Sequence, residues 1–301
     1  RPIGQIPQSS VTWTAGYARG TTSVTLNSTA GISEGSYLLF SSGYPAEAST
    51  TIPGSSQNFH TQHPGFNYLA QVTSVDGLQV TIDRPLPADY SVPLESWQTG
   101  WVNGANNHLA YIWSDRLENI GIEDLIIVDS NPDDIGQNAG LIFEGAIHSW
   151  ITGVLFEKHN ANFLNITWSY RNLYRGNTFQ DLIFPLIRAN NHTAITVNQS
   201  TDNVFENNAF LKQVPRGITF QSTATRNVFA YNFMDDPGVR PAGVIIPAGQ
   251  PDPAGPVPGG DGVDANGRSY NLCHDLRPGG GGRSVFHHGG YTHSTIVEGN
   301  D

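Results

Sequence analysis

Apolar positions in this chain fall in short β-branched and aromatic runs cut by Gly, Asn and Asp. No long stretch places apolar residues at i, i+3, i+4 and i+7, so helices are not expected. The runs read as many short strands. From about residue 109 they repeat with an eight-residue pattern: NIGIEDLI from Asn119, SWITGVLF from Ser149, NLYRGNTF from Asn172, NVFENNAF from Asn203 and NVFAYNFM from Asn227. A truncated copy, TIVEGND, begins at Thr295. Successive starts lie 30, 23, 31, 24 and 68 residues apart, and the first four spacings match one coil of a repeat architecture. A second strand family runs in phase: GLIFEG from Gly140, ANFLNITW from Ala161, TAITVNQS from Thr193, RGITFQS from Arg216 and RSVFHHGG from Arg283. Two families sharing one period put at least two short strands in each coil. Each strand then pairs in parallel with its equivalent one coil away. No helical crossover is available, so a doubly wound α/β fold is excluded and a parallel β-solenoid is predicted.

The sixth residue of the pattern reads Asp124, Val154, Asn177, Asn208, Asn232 and Asn300. Asn in that place can stack from coil to coil, each amide bonding the next; it also tolerates a left-handed turn. Both readings keep the solenoid, and Val154 interrupts a ladder. The 68-residue spacing holds a Pro- and Gly-dominated stretch, residues 236–282, which reads as an excursion from one coil and not as a coil. The first hundred residues differ. Strands are predicted within residues 11–26 and 36–40, and a hairpin is predicted in residues 68–83 around Asp76-Gly77. The expected organisation is an N-terminal β module over 1–104 and a β-helix over 105–301.

Composition changes the picture in a few respects. With 38% hydrophobic and 10% aromatic residues, the chain can bury a sizeable core. The net charge is −11, Lys occurs only at Lys158 and Lys212, and no basic stretch exists. Nucleic acid and anionic membrane surfaces are therefore unexpected partners. No run of 18 apolar residues is present, so no membrane insertion is expected. The single cysteine, Cys273, cannot build a disulfide framework or a multi-Cys zinc site. The Asn-, Thr-, Ser- and Gly-rich composition, nearly free of Lys, fits a secreted, extracellular protein. The start at Arg1 fits removal of an initiator Met or a signal peptide. Sequons at Asn27, Asn165, Asn191 and Asn198 are glycosylation candidates.

NVFENNAF, NVFAYNFMDD and HHGGYTHSTIVEGND together resemble the coils of the pectin-lyase-like superfamily of right-handed parallel β-helices. More narrowly, they resemble a group of uncharacterised secreted β-helix proteins with an "AYN … HG … EGN" pattern. The resemblance covers residues 105–301 well and the first hundred loosely. It implies a right-handed parallel β-helix and an extracellular polysaccharide as partner. For a pectate-lyase-like member it further implies Ca²⁺ held by carboxylates and an Arg or Lys base. For a glycosidase it implies paired carboxylates. Neither signature is intact in this sequence. The acidic pairs Asp133-Asp134 and Asp235-Asp236 lack the flanking segments of the glycosidase pattern and read as turn residues.

The remaining cluster comes from in-phase strands, where equivalent positions stack about 4.8 Å apart. Arg216, His288, Arg188 and Glu144 are the catalytic candidates; Asn190, Asn191, Gln221 and His287 are the substrate-binding candidates. Arg, His and amides suit an anionic sugar, with His carrying the proton; an ordinary polar face is the competing reading. A metal site built from both His287 and His288 is not expected, because neighbouring residues on a strand point to opposite faces. Trp97, Trp101, Trp113, Trp150 and Trp168 are either sugar-stacking platforms or packing residues. The last copy of the pattern stops at Asp301, so the sequence predicts an open coil that is continued, capped or stacked on another subunit. Two functions follow: a secreted protein that binds or acts on polysaccharide, and a structural subunit of an extracellular filament or surface layer that self-associates through its C-terminal coil.

Overall fold

The computed structural model describes residues 9–42, 66–91, 108–113, 116–128, 139–159, 162–181, 193–211, 214, 216–221, 224–234, 283–288 and 296–300. Among these residues every regular element is a strand, and no helix is long and apolar enough to cross a membrane.

Six antiparallel strands close a barrel: β1 (Ser10–Ala15), β2 (Ser23–Leu26), β3 (Tyr37–Ser42), β4 (Phe66–Asp76), β5 (Gln79–Ile82) and β6 (His108–Trp113), in the order β1-β2-β5-β4-β3-β6. The β4–β5 hairpin turns through Gly77, whose φ of 58° suits a residue without Cβ. Trp13, Leu38, Phe40, Tyr68, Val72 and Val80 fill the interior. Strand β6 pairs with both β1 and β3, so the barrel takes in a strand beyond the boundary expected at residue 104. Closure explains this, because without β6 both of its neighbours would expose an unpaired edge.

After the barrel the chain winds into a parallel β-helix. Its first face is a five-stranded sheet of Leu141–Glu144, Leu164–Thr167, Ile195–Asn198, Arg216–Gln221 and Arg283–His288. Its second face stacks Gly121–Glu123, Trp150–Thr152, Leu173–Arg175, Val204–Glu206, Val228–Ala230 and Ile296–Glu298. Its third stacks Ile126–Val128, Leu155–Glu157, Thr178–Gln180, Ala209–Leu211 and Phe233–Met234. Every pairing between coils is parallel and in register.

The core is built from columns. Phe156, Phe179 and Phe210 stack face to face, with ring centroids 4.8 and 5.1 Å apart. Tyr174 and Phe205 stack at 4.6 Å in the neighbouring column. Strand pairing sets this spacing, so identical rings one coil apart meet without adjustment.

Asn side chains seal two corners. At the first corner the Nδ2 groups of Asn177, Asn208 and Asn232 each donate to the next coil's Asn Oδ1, at 2.9–3.0 Å, ending on Asn300. The same oxygens accept backbone N–H groups one coil back, starting with Val154 N onto Asn177. Val154 is therefore where the ladder begins. A second ladder, which the sixth-residue pattern does not reveal, runs through Asn172, Asn203 and Asn227 at the first position of the repeat.

The first repeat needs a one-residue correction. Trp150 pairs with Gly121 and Leu155 with Ile126, so the coil begins at Ile120 and Leu125 is its sixth residue. Asp124 is the turn residue opposite Gly153, with φ of 52°. Gly153 takes the same left-handed conformation, with φ of 65°, which suits a residue without Cβ.

Candidate functional site

The first face carries a polar outer column. Along Leu141–Glu144 burial alternates: Phe143 is in the core while Ile142 and Glu144 point outward. The next coil repeats this, with Ile166 inside; in the one after it Val197 is inside and Thr196 is buried as well. By backbone register Glu144, Thr167, Asn198, Gln221 and His288 hold equivalent positions across five coils, and the side chains of the first three are partly exposed. Glu144 is half-buried, and burial raises its carboxyl above the usual range.

The register brings some candidates together and separates others. Glu144, Gln221 and His288 hold equivalent positions of the register. His287 pairs with Phe220, a position of the inward column, and so falls outside this set. Arg216 lies at the opposite end of its strand from Gln221, about 16 Å away at about 3.3 Å per residue. Glu144 and His288 are four strand spacings apart, about 19 Å. One bond cannot be reached by all three, so Arg216, Glu144 and His288 do not form a single catalytic constellation. Arg188, Asn190 and Asn191 lie outside the described residues, as do the 236–282 excursion, Cys273, Trp97 and Trp101.

No three His, Cys, Asp or Glu side chains come together among the described residues. Glu144 is the only carboxylate of the outer column. The tryptophans divide: Trp113 and Trp168 are buried edge to face with ring centroids 6.0 Å apart, while the Trp150 indole covers Gly121 and donates to Glu123. Of the sequons, Asn27 is exposed and accepts from Thr12 N, Asn165 accepts from Asn162, and Asn198 stands in the outer column.

A second constellation joins barrel and solenoid. The residue just before each repeat is in the left-handed conformation: Asn119, His148, Arg171, Asp202 and Arg226, with φ of 49–58°. The last three of these side chains meet the barrel segment after β5 or each other. Asp83 accepts from the Tyr170 hydroxyl at 2.7 Å and pairs with Arg171. Arg84 donates to Asp202 at 3.1 Å, and Asp202 also accepts from Arg226 at 3.0 Å. Arg226 reaches the Pro85 carbonyl at 3.2 Å. Asp202 is buried, and burial raises its pKa despite both arginines. Three barrel residues in sequence are thus read by three coils in sequence. Tyr37, Leu39, Leu69 and Trp113 pack beside this contact on Ile147, Trp168 and Tyr170. The sequence carries a signal for it, the charged residues Arg171, Asp202 and Arg226 at the position before three successive repeats.

No family model matches the chain, and no curated protein matches it. Solved structures similar to it include the Gp54 tailspike of Acinetobacter baumannii bacteriophage AP22, in complex with A. baumannii capsular saccharide. That match has 14% identity and a TM-score of 0.47, over 75% of this chain and 38% of the tailspike. The gp61 tailspike of Pseudomonas phage phi297 gives 10% identity and a TM-score of 0.41, over 77% and 29% of the two chains. The gp49 tailspike of Pseudomonas phage LKA1 gives 13% and 0.33, over 78% and 46%. The chain thus spans less than half the length of these proteins. Likenesses this distant bear on neither mechanism nor substrate; the fold rests on the strand pairing itself.

Proposed function

We propose that this chain is a secreted β-helix protein that binds extracellular polysaccharide along its first face. The observation that carries the reading is the in-register column Glu144–Thr167–Asn198–Gln221–His288, of which Glu144, Thr167 and Asn198 are partly exposed. Its members repeat at strand spacing along the solenoid axis. A polymer of repeating hydroxyl-bearing units is the ligand that such a periodic row can follow, residue after residue. Cleavage by a lyase or glycosidase is the weaker reading, because the register separates Arg216, Glu144 and His288.

The test is affinity electrophoresis of the purified chain through gels holding neutral or acidic polysaccharides. Retardation by at least one polymer is expected. The Thr167→Ala/Asn198→Ala pair should weaken binding about tenfold, as two lost hydrogen bonds would. No retardation by any polymer, or an unchanged affinity in the double variant, counts against the reading.

Assembly through the last described coil is a second reading. Ile296, Val297, Tyr231 and Phe233 are all about half exposed there. Val297 also continues the inward column of Tyr174, Phe205 and Phe229. Light scattering tests it: the wild type should form oligomers and Val297→Asp should not.

A further inference from the structure

At the seam between barrel and solenoid, His148 occupies a position that none of the ion pairs uses. Three rings form a triangle there. Tyr37 of β3 lies 6.1 Å from His148 and 5.9 Å from Tyr170, and His148 lies 6.2 Å from Tyr170. The Arg116 guanidinium covers the Tyr37 ring at 4.7 Å, and that of Arg171 covers the Tyr170 ring at 4.8 Å. The nearby carboxylates are already engaged: Glu118 pairs with Arg116, and Asp83 pairs with Arg171. Among the described residues His148 Nε2 is buried without a hydrogen-bond partner.

Neutral imidazole fits this place with Nε2 unprotonated. Protonation adds an N–H with no acceptor and a third positive charge beside Arg116 and Arg171. We propose that His148 makes the attachment of the barrel to the solenoid pH-sensitive, holding the seam closed when neutral and loosening it when protonated.

The sign follows from linkage. Burial first, and then Arg171, lower the pKa of His148 below its ordinary 6.5; Arg116 acts in the same direction, and Glu118 and Asp83 act against them. The docked state therefore binds fewer protons than the undocked one. Docking is fully favoured above about pH 6.5 and weakens as pH falls from there towards the lowered pKa, by up to about tenfold per pH unit.

The experiment uses the full chain. Histidine-selective NMR of the wild type should place the His148 titration below 6.5; a value at or above 6.5 overturns the proposal and needs no variant. Hydroxyl-radical labelling of side chains is then compared at about pH 7.5 and about pH 5.5. Lost protection is expected at Tyr37, Leu39, Trp168 and Tyr170, which the seam buries, while Phe205 and Phe229 in the solenoid core stay protected. His148→Asn keeps a side chain at home in the left-handed conformation and cannot titrate. It should make the seam's protection independent of pH over this range. The same loss of protection in His148→Asn, or none in the wild type, overturns the proposal.

Discussion

Asn208 shows how much one side chain carries in a solenoid. Its amide donates to Asn232 Oδ1 and to the Tyr174 carbonyl, and its oxygen accepts from both the backbone and the side chain of Asn177. All of this is buried, where an unmade bond costs more than a made one contributes. Asn208→Ala should lower stability by about 2–4 kcal/mol in denaturant unfolding. Asn300→Ala should cost less, since its coil is partly exposed. Asp202 behaves differently. Its raised pKa means that the folded state favours the protonated acid, so its contribution is greatest below 3.8 and is lost as pH rises through the folded pKa. Asp202→Asn should therefore compare more favourably with the wild type at neutral pH than at acid pH. Thermal melts across pH should show a steeper acid limb for this variant, because the stability that Asp202 gains on protonation is gone.

Individual strands here are only two to six residues long outside the barrel hairpin, too short to hold alone. They persist because each column repeats the same group at the same spacing. Phe179 touches Phe156 on one side and Phe210 on the other, so Phe179→Ala opens a gap between two rings. It should destabilise the solenoid by about 3–5 kcal/mol. The check is the unfolding midpoint followed by near-ultraviolet circular dichroism, which reports ring packing. Strand β3 is buried along both faces, one inside the barrel and one against the solenoid. This double burial is why YLLF reads as an uninterrupted apolar run and not as an alternation.

On the scale of the molecule, the barrel is held by a contact whose two sides share a register: Asp83 on Arg171, Arg84 on Asp202, and the Pro85 carbonyl on Arg226. Asp83 is the anchor, because it also accepts from Gln71 N within the barrel and from Tyr170 across the seam. Asp83→Ala should loosen the barrel and leave the coils folded. Limited proteolysis should then cut between barrel and solenoid faster, while the melting of the coils stays unchanged.

The repeat, its two strand families and the Asn at its sixth position were legible along the chain, because a solenoid presents the same local requirement once per coil. A short strand needs alternation, a left-handed corner needs Asn or Gly, and neither depends on distant partners. The one-residue slip in the first repeat arose where this local rule weakens, since Leu125 and Ile120 stand in place of the ladder residues. Other features depended on folding. Strand β6 joins the barrel because β1 and β3 both need a partner for their edges, a demand made about 70 to 100 residues upstream. The outer column assembled Thr167 and Asn198 with Glu144, while the same register set Arg216 apart, because stacking order and strand ends are properties of the coil and not of any segment. The seam around His148, Arg171 and Asp202 exists only once the barrel has docked, when burial turns ordinary turn residues into paired or unpaired charges.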